Sequence, residues 1–518
     1  MNKTTHALNN SIINTLIQLA NIVIKFAMQT ALIKFMGAAY IGINGLCTNI
    51  LGVLSLAELG IGAAIILELY KPLATDNKPQ IIVFMKLYKK VYLIIGCIIL
   101  GLGLIITPFV ELFVKGESVP YFHVIFFLFV LNSASSYFFA YKRILLSANQ
   151  QDYRNRINMF IFDLICVPLQ IVALYFMHNF IVFILIRVIF TFLTNIAISR
   201  TVDKQYPYIN DATDEKISKT DIASMKEHIK EIMGNKIGGV IINASDNILI
   251  ARFVGIIRVG QYANYSIIWA SVFALTNLLL SGANQSYGHV AVHDEDGSTG
   301  YSLFRRQFFL SFVASTIAGS IMLCLFNPFM QLWAGPFYVL DNKTVFVIVI
   351  NFFLLIMRGP ADSFIFAYGV LKHQGRKSVI EAIVNLVISL LFVTVFDMDI
   401  MGVLLGTIIA AIVVNSWWSV RQIMKHAFHK PLLPWLLQQY FMYAIGINII
   451  FFTYYLTRWL VWTNPFINLV YLVVASVVVS VGLVTVLFFW LPEYRWLIEF
   501  LGVAVRHVRG MTGKFKKK

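Results

Sequence analysis

The sequence predicts an all-α polytopic membrane protein of about fourteen transmembrane helices: two parallel six-helix lobes plus two extra C-terminal helices around a central cavity. Its composition, the spacing of its apolar segments and an internal repeat predict this fold. Of the 518 residues, 59% are hydrophobic and 13% are charged, whereas soluble domains carry about 25% charged residues. The mean hydropathy of +0.77 likewise excludes a soluble domain.

The apolar segments give the number of spans. A helix needs about 20 mostly apolar residues to cross the hydrocarbon core of a bilayer, and the polar interruptions leave fourteen such segments. Their approximate limits are 11–36, 42–70, 91–114, 120–146, 157–177, 179–199, 236–254, 261–288, 304–334, 344–370, 378–396, 400–420, 433–457 and 466–491. The first segment lacks a small-residue cleavage pattern, so we expect a spanning helix and not a signal peptide.

The lysines and arginines give the orientation, because short cytoplasmic loops hold an excess of them. Alternate connections together with the two termini hold 32 of these residues. The connections on the opposite side hold four, which are Lys115, Arg258, Lys343 and Arg458. We therefore expect an even number of spans with both termini in the cytoplasm. The same distribution accounts for the net charge of +16 without a nucleic-acid partner.

An internal repeat divides the chain. The end of the first span, LIKFMGAAYIG at 32–42, matches the end of the seventh, IARFVGIIRVG at 250–260, at a shift of 218 residues. A weaker echo joins LLSANQQDYRN to GVLKHQGRKS. Because the shift spans six helices, the two units have the same orientation, as in one class of secondary transporters. The predicted divisions are a lobe at 1–200, a cytoplasmic linker at 201–235, a lobe at 236–424, helices 13 and 14 at 425–491, and a basic cytoplasmic tail at 492–518.

Polar residues within the spans are the candidate site. Gln18, Asn21 and Lys25 continue a stripe that begins at Asn14, because their spacings of three and four put them on one helix face. Lipid does not solvate such groups, and a charge at mid-bilayer costs at least about 2.5 kcal/mol. We expect a substrate cavity lined by basic and amide side chains, namely Lys25, Arg187, Arg358, Asn21 and Gln18.

Structural alternatives stay open for several of these residues. Arg187 and Asp163 would also suit a structural pair, and Arg358 and Asp362, four residues apart, would suit a pair on one helix face. Asparagine and serine at helical spacing often form hydrogen bonds between helices without touching a ligand.

Acidic residues in the spans are candidates for ion coupling, with a proton or Na+ as the ion. Glu58 lies in the stretch GVLSLAELGIGAAI at 52–65, where Gly60 and Gly62 remove side chains at a place where helices approach or bend. Glu58 would then point into the cavity. The full set of acidic candidates is Glu58, Asp246, Asp362 and Glu381.

Enzyme signatures are missing from the sequence. It contains no GxxxxGK[ST] phosphate loop, no HExxH and no CxxC, and the four cysteines lie in apolar stretches without metal-ligand spacing. We therefore expect a protein that is not an enzyme, has no metal site or cofactor, and takes its energy from an ion or substrate gradient. A membrane-embedded enzyme would need a reactive histidine or cysteine within the spans.

Several stretches resemble the polysaccharide exporters of the Wzx type. These stretches are LSLAELGIGAAI in span two, the GAAYIG turn before it and LLSANQQD after span four, together with the 6+6+2 arrangement. That family belongs to a superfamily that also holds the lipid II flippase MurJ and the MATE drug exporters. By position, Lys25 matches a cation of the first helix and Glu58 matches an acidic residue that relatives often have before the glycine.

The resemblance implies a function in the bacterial cytoplasmic membrane. A protein of this kind moves undecaprenyl-pyrophosphate-linked oligosaccharide to the outer leaflet by alternating access, for polysaccharide biosynthesis. Its expected partners are the lipid-linked oligosaccharide, membrane lipids and other polysaccharide-assembly proteins. The alternative is a MATE-like antiporter of drugs or organic cations, which would favour acidic cavity residues. Lys25, Arg187 and Arg358 favour an anionic substrate, although Glu58, Asp246 and Asp362 balance them.

Overall fold

The structure, a computed structural model, describes residues 3–58, 60–116, 119–138, 140–213, 215–281, 294, 297–370, 374–459 and 462–502. All regular secondary structure in these residues is helical. Most of the predicted basic tail lies outside the described residues, because they end at 502.

The long helices follow the predicted spans. They are α1 (Lys3–Phe35), α2 (Ala38–Leu54), α3 (Ile61–Ala74), α4 (Lys78–Ile106), α5 (Phe122–Phe138), α6 (Arg143–Ala148), α7 (Asp152–Met177), α8 (Phe180–Gln205), α9 (Lys219–Leu249), α10 (Ile256–Ser281), α11 (Ser298–Trp333), α12 (Asn342–Ala367), α13 (Gln374–Thr394), α14 (Asp399–Ala410), α15 (Ser416–His426), α16 (Leu432–Thr457) and α17 (Pro465–Phe488).

Thirteen helical segments within the described part of the chain are long and apolar enough to cross a membrane, and α5 is a shorter apolar helix. Each of the fourteen predicted spans overlaps one of these segments. The all-helical polytopic membrane fold is therefore confirmed. Helix α9 begins at Lys219, so the later part of the segment predicted as a linker is helical.

The second predicted span, 42–70, is wrong as one continuous helix. Helix α2 ends in a 3₁₀ turn at Ser55–Glu58, and Gly60 then adopts a left-handed conformation with a φ of 80° before α3 begins. This conformation is costly for a residue with a Cβ atom. A Cβ at Gly60 would also lie 2.8 Å from Cγ2 of Ile232. The glycine thus allows both the break and the close approach of α9.

Two compact units make up the chain. The first comprises residues 1–267 and 372–406, and the second comprises 268–371 and 407–518. Helices α9 and α13 pack along each other in the first unit, where a Cβ at Gly234 would lie 2.6 Å from the Cα atom of Gly375. The units are defined by contacts between helices. The two lobes were predicted from the internal repeat, and they stay a prediction.

The two copies of the repeat contact each other within the first unit. Each copy contains a glycine with positive φ, 82° at Gly37 and 139° at Gly255, followed by the start of α2 or α10. A Cβ at Gly42 would lie 2.1 Å from the carbonyl oxygen of Ile256, and a Cβ at Gly260 would lie 2.0 Å from that of Ala38. Because Ile256 and Gly260 stand 218 residues after Ala38 and Gly42, the contact is reciprocal.

Aromatic side chains fill the interior of the second unit. Trp435 is 2% exposed, and its ring centroid lies 4.8 Å from that of Phe304 and 5.1 Å from that of Phe308. Its indole N–H donates to Oε1 of Gln439 at 3.1 Å, which satisfies the polar atom that burial would otherwise leave unpaired. These residues join α11 to α16.

Candidate functional site

A polar cavity with a volume of about 650 Å³ lies in the first unit. Helices α1, α2, α5, α7 and α8 supply most of its lining. Its ionisable lining residues are Lys25, Asp163 and Arg187, which leave a net charge of +1. Its polar neutral lining residues are Asn21, Gln29, Asn44, Thr48, Asn132, Ser133, Ser136 and Gln170.

Helix α1 brings two of the predicted residues to this cavity. Lys25 and Asn21 both line it, as their spacing of four predicts, whereas Gln18 is not among the lining residues. Lys25 is exposed and has no carboxylate partner among the residues that the structure describes. Gln29, one turn further along the stripe, is buried and donates from Nε2 to Oδ1 of Asn264 at 2.5 Å. Gln29 therefore both lines the cavity and joins α1 to α10.

Arg187 and Asp163 form an ion pair in the cavity wall. Nη1 of Arg187 lies 2.6 Å from Oδ1 of Asp163, and the pair links α8 to α7. Both side chains remain partly exposed, at 45% and 29%. Arg187 thus both forms the expected structural pair with Asp163 and lines the cavity. Because the pair is neutral overall, the net positive charge of the cavity comes from Lys25.

A side pocket of about 200 Å³ adjoins the cavity and shares Asn132, Asp163 and Arg187 with it. Arg143 lies at its wall. The guanidinium Nη2 donates to Oδ1 of Asn195, and no carboxylate pairs with Arg143 among the described side chains. Arg143 is not among the residues predicted to line the cavity, although it lies within the predicted span 120–146.

Glu58 lies outside the cavity lining and pairs with a residue that the sequence analysis did not select. Its Oε2 lies 3.2 Å from Nζ of Lys236 on α9, and its Oε1 accepts a hydrogen bond of 3.0 Å from the hydroxyl of Tyr92 on α4. Glu68, on α3, also contacts α9, since Oγ of Ser224 donates to it at 2.7 Å. One feature of the sequence indicated Lys236 as a partner, because it lies at the predicted start of span seven, where a cation can pair with a carboxylate of another span.

The remaining acidic candidates of the first unit lie on two packed helices. Asp246 is half-buried on α9, and Glu381 is 5% exposed on α13. Next to Asp246, the hydroxyl of Ser245 contacts Oδ1 of Asn385 on α13 at 3.4 Å. Neither carboxylate lines the large cavity.

Arg358 and Asp362 lie in the second unit, on α12. Nε of Arg358 is 3.8 Å from Oδ2 of Asp362, which agrees with a pair on one helix face. Arg358 lines a narrow pocket of about 10 Å³ with Ser416 and Tyr443. The two basic residues thus have different surroundings. Arg358 faces a void the size of a water molecule, whereas Lys25 faces a cavity large enough for a ligand.

Histidine, cysteine and acidic side chains do not assemble into a metal site in the part of the chain that the structure describes. The lining of the cavity is suited to attract an anion through Lys25 and to form hydrogen bonds through its amides and hydroxyls.

The fold has known counterparts. No family model matches the chain and no curated protein matches it, but solved structures do. The lipid II flippase MurJ, in an inward closed conformation, is 13% identical with a TM-score of 0.68, and the match covers 94% of this chain and 100% of that one. The likeness shows a shared fold.

Two further structures are of multidrug resistance MATE family transporters of the MOP superfamily. The inward-facing one is 13% identical with a TM-score of 0.62, and the match covers 80% of this chain and 98% of that one. The outward-facing one is 12% identical with a TM-score of 0.54, covering 81% and 95%. These three structures are of a flippase and of two transporters.

Proposed function

We propose that this chain is a flippase that moves an undecaprenyl-pyrophosphate-linked oligosaccharide across the bacterial cytoplasmic membrane by alternating access, for cell-surface polysaccharide biosynthesis. Both termini would lie in the cytoplasm, and other polysaccharide-assembly proteins would receive the product. The shared fold with a lipid flippase supports transport of a lipid-linked substrate, and the MurJ match extends over more of this chain than the two MATE matches do.

One observation carries the proposal. Lys25 faces a cavity of about 650 Å³ with net charge +1, and no described carboxylate neutralises it. Two opposite unit charges 4 Å apart attract by about 1 kcal/mol in water and by about 4 kcal/mol at an effective dielectric constant of 20. A lysine in such a cavity therefore attracts pyrophosphate as the anion leaves water. The amides and hydroxyls of the lining would hydrogen bond to sugar.

The test is lipid flipping in proteoliposomes. A fluorescent undecaprenyl-pyrophosphate oligosaccharide and a membrane-impermeant quencher report movement between leaflets. We expect Lys25→Ala to slow protein-dependent flipping by about tenfold or more, which corresponds to ~1.4 kcal/mol, and Lys25→Arg to keep most of it. Lys34→Ala is the matched control, because Lys34 lies on the same helix, is exposed and does not line the cavity.

The same vesicles test the alternative, an antiporter of drugs or organic cations. If the wild type moved no lipid-linked oligosaccharide but exchanged an organic cation for protons, the flippase proposal would be wrong. A flipping rate that is equal in wild type and Lys25→Ala would remove the cationic cavity from the mechanism.

We also propose that a carboxylate couples transport to a proton or Na+, with Glu58 and Asp246 as first candidates and Asp362 and Glu381 as second. Glu58 has the clearest structural reason, because protonation or Na+ binding would compete with its contact to Lys236 at 3.2 Å. We expect Glu58→Gln together with Asp246→Asn to abolish the dependence of flipping on an imposed ion gradient. Glu227→Gln, an exposed change on α9, is the control, and an unchanged ion dependence in the double variant contradicts the coupling.

A further inference from the structure

An apolar groove of about 430 Å³ runs along the outer side of the α7–α8 hairpin. All the side chains that line it are hydrophobic, and they include Leu169, Val172, Phe176, Ile189 and Phe190. Val172 is 50% exposed and Phe176 is 75% exposed. In a membrane protein, a concave surface of this composition would be filled by a hydrocarbon chain.

The groove and the polar side pocket share a wall residue. Phe190 lines both of them, and its ring meets that of Phe162 at a centroid distance of 6.5 Å between the two helices. The side pocket in turn shares Arg187 with the large cavity. A molecule with a polar head and a long chain would fit this surface by placing its head in the side pocket and its chain in the groove.

The polar end of this surface suits a phosphate. Arg143 and Arg187 both line the side pocket, and Asp163 is its one acidic lining residue, so the pocket carries a net positive charge. Arg187 pairs with Asp163, which leaves the charge of Arg143 uncompensated within the described part of the chain. The buried Nε of Arg143 has no acceptor there. A buried donor without an acceptor is destabilising, and a guanidinium binds phosphate oxygens with two parallel hydrogen bonds.

We propose that the side pocket and the groove form one binding site for a phosphate-headed polyprenyl lipid. Arg143 holds the phosphate, and the chain passes Phe190 into the groove between α7 and α8. This inference rests on the proposed function, and it adds that the first unit holds the hydrocarbon chain of the transported lipid. The proposed substrate selects the occupant, because it combines a phosphate head with a long hydrocarbon chain. An anionic phospholipid that binds equally well is the outcome that contradicts the site.

Photolabelling of the full chain in proteoliposomes tests the site directly. One probe is a polyprenyl phosphate with a diazirine on its chain, and the other is a phosphatidylglycerol with a diazirine on an acyl chain. We expect the polyprenyl probe to label peptides containing residues 169–190 about tenfold more strongly than the phosphatidylglycerol probe. Unlabelled polyprenyl phosphate should compete for this labelling, and Arg143→Gln should weaken it by about tenfold, or ~1.4 kcal/mol. Equal labelling by the two probes, without competition, would identify the groove as ordinary lipid contact and overturn the proposal.

A pair of tryptophan substitutions gives a second test. Val172→Trp fills the groove, whereas Val474→Trp makes the same change at an exposed position of α17. We expect Val172→Trp to reduce both polyprenyl labelling and flipping several-fold and Val474→Trp to leave both unchanged. Equal effects of the two variants would contradict the site. If the wild type and Val172→Trp flip the lipid-linked oligosaccharide equally well, this inference is wrong and the proposed function stands. If the wild type flips no lipid, the proposed function is wrong, and the labelling still decides whether the site binds polyprenyl phosphate.

Discussion

The two units of this protein have contrasting interiors. The first unit contains a polar cavity of about 650 Å³, and backbone contacts at Gly42 and Gly260 join the starts of α2 and α10. The second unit places aromatic rings around Trp435 and leaves a pocket of about 10 Å³ beside Arg358. The contrast teaches that helices long and apolar enough to cross a membrane leave a ligand-sized space where polar side chains face inward and a narrow one where aromatic rings do.

The largest effect that would test this contrast is on stability. Trp435→Ala in the second unit should lower the free energy of unfolding by about 3–5 kcal/mol, because it removes a fully packed ring. Met28→Ala in α1 should cost less than about 1 kcal/mol, because Met28 lines the cavity and loses few packed neighbours. Thermal unfolding in detergent measures both. Similar losses in the two variants would mean that the cavity wall is packed as firmly as the aromatic core.

Glycine substitutions test the close backbone contacts of the first unit. Gly42→Ala and Gly260→Ala each place a Cβ about 2 Å from a carbonyl oxygen, and we expect losses at the upper end of the ~1–3 kcal/mol range for overpacking. Gly101→Ala is the matched control, since no atom lies within 4 Å of its added Cβ. Gly101→Ala should stabilise α4 slightly through the higher helix propensity of alanine. A tolerated Gly42→Ala would show that α2 and α10 separate easily.

The smallest expected effect compares helix caps in the two units. In the second unit, Asp341 accepts hydrogen bonds from the backbone N–H of Thr344 at 2.9 Å and from its hydroxyl at 2.6 Å. Burial raises the pKa of Asp341, but these hydrogen bonds outweigh it and hold the pKa below the ordinary value of 3.8. In the first unit, Asn179 is the N-cap residue of α8 and forms a similar contact. Its side chain accepts a hydrogen bond from the backbone N–H of Ile181 at 2.8 Å, and it does not titrate.

The sign of the pH effect follows from the lowered pKa. The contribution of Asp341 to stability is present above pH 3.8 and is lost as the pH falls through the lower folded pKa. We expect the loss to be less than about 1 kcal/mol, because solvent screens a cap at the protein surface. Asp341→Asn should remove this part of the pH dependence, and Asn179→Asp should introduce a similar one in the first unit. Unfolding between pH 5 and pH 3, an interval of about 2 units around the unfolded pKa, measures both.

The sequence was sufficient for the approximate limits of the spans and for the helix face that Asn21 and Lys25 share. Apolar length places the helices because the bilayer sets their length, and a spacing of four places Asn21 and Lys25 on one face because α-helical geometry is regular. The division of span 42–70 into two helices was not predicted, although Gly60 indicated a place where a helix bends, because only a residue without a Cβ takes its conformation cheaply.

The sequence was not sufficient for partners that are distant along the chain. The ion pair of Glu58 depends on Lys236, 178 residues away, and no local pattern gives the rotation of α9 that brings them together. Arg143 was not predicted as a site residue, because its position depends on Asn195 on another helix. Gln18 shares the stripe of Lys25 yet does not line the cavity, since helical spacing gives the face of a residue but not the length of a cavity along that face.

The contact between the starts of α2 and α10 has the pattern of a symmetric dimer. In such a dimer, residue i of one subunit meets residue j of the other, and j meets i. Ala38 with Gly260, and Ile256 with Gly42, obey this rule inside one polypeptide. We therefore expect a substitution at either glycine to be compensated in the opposite segment and not in its own.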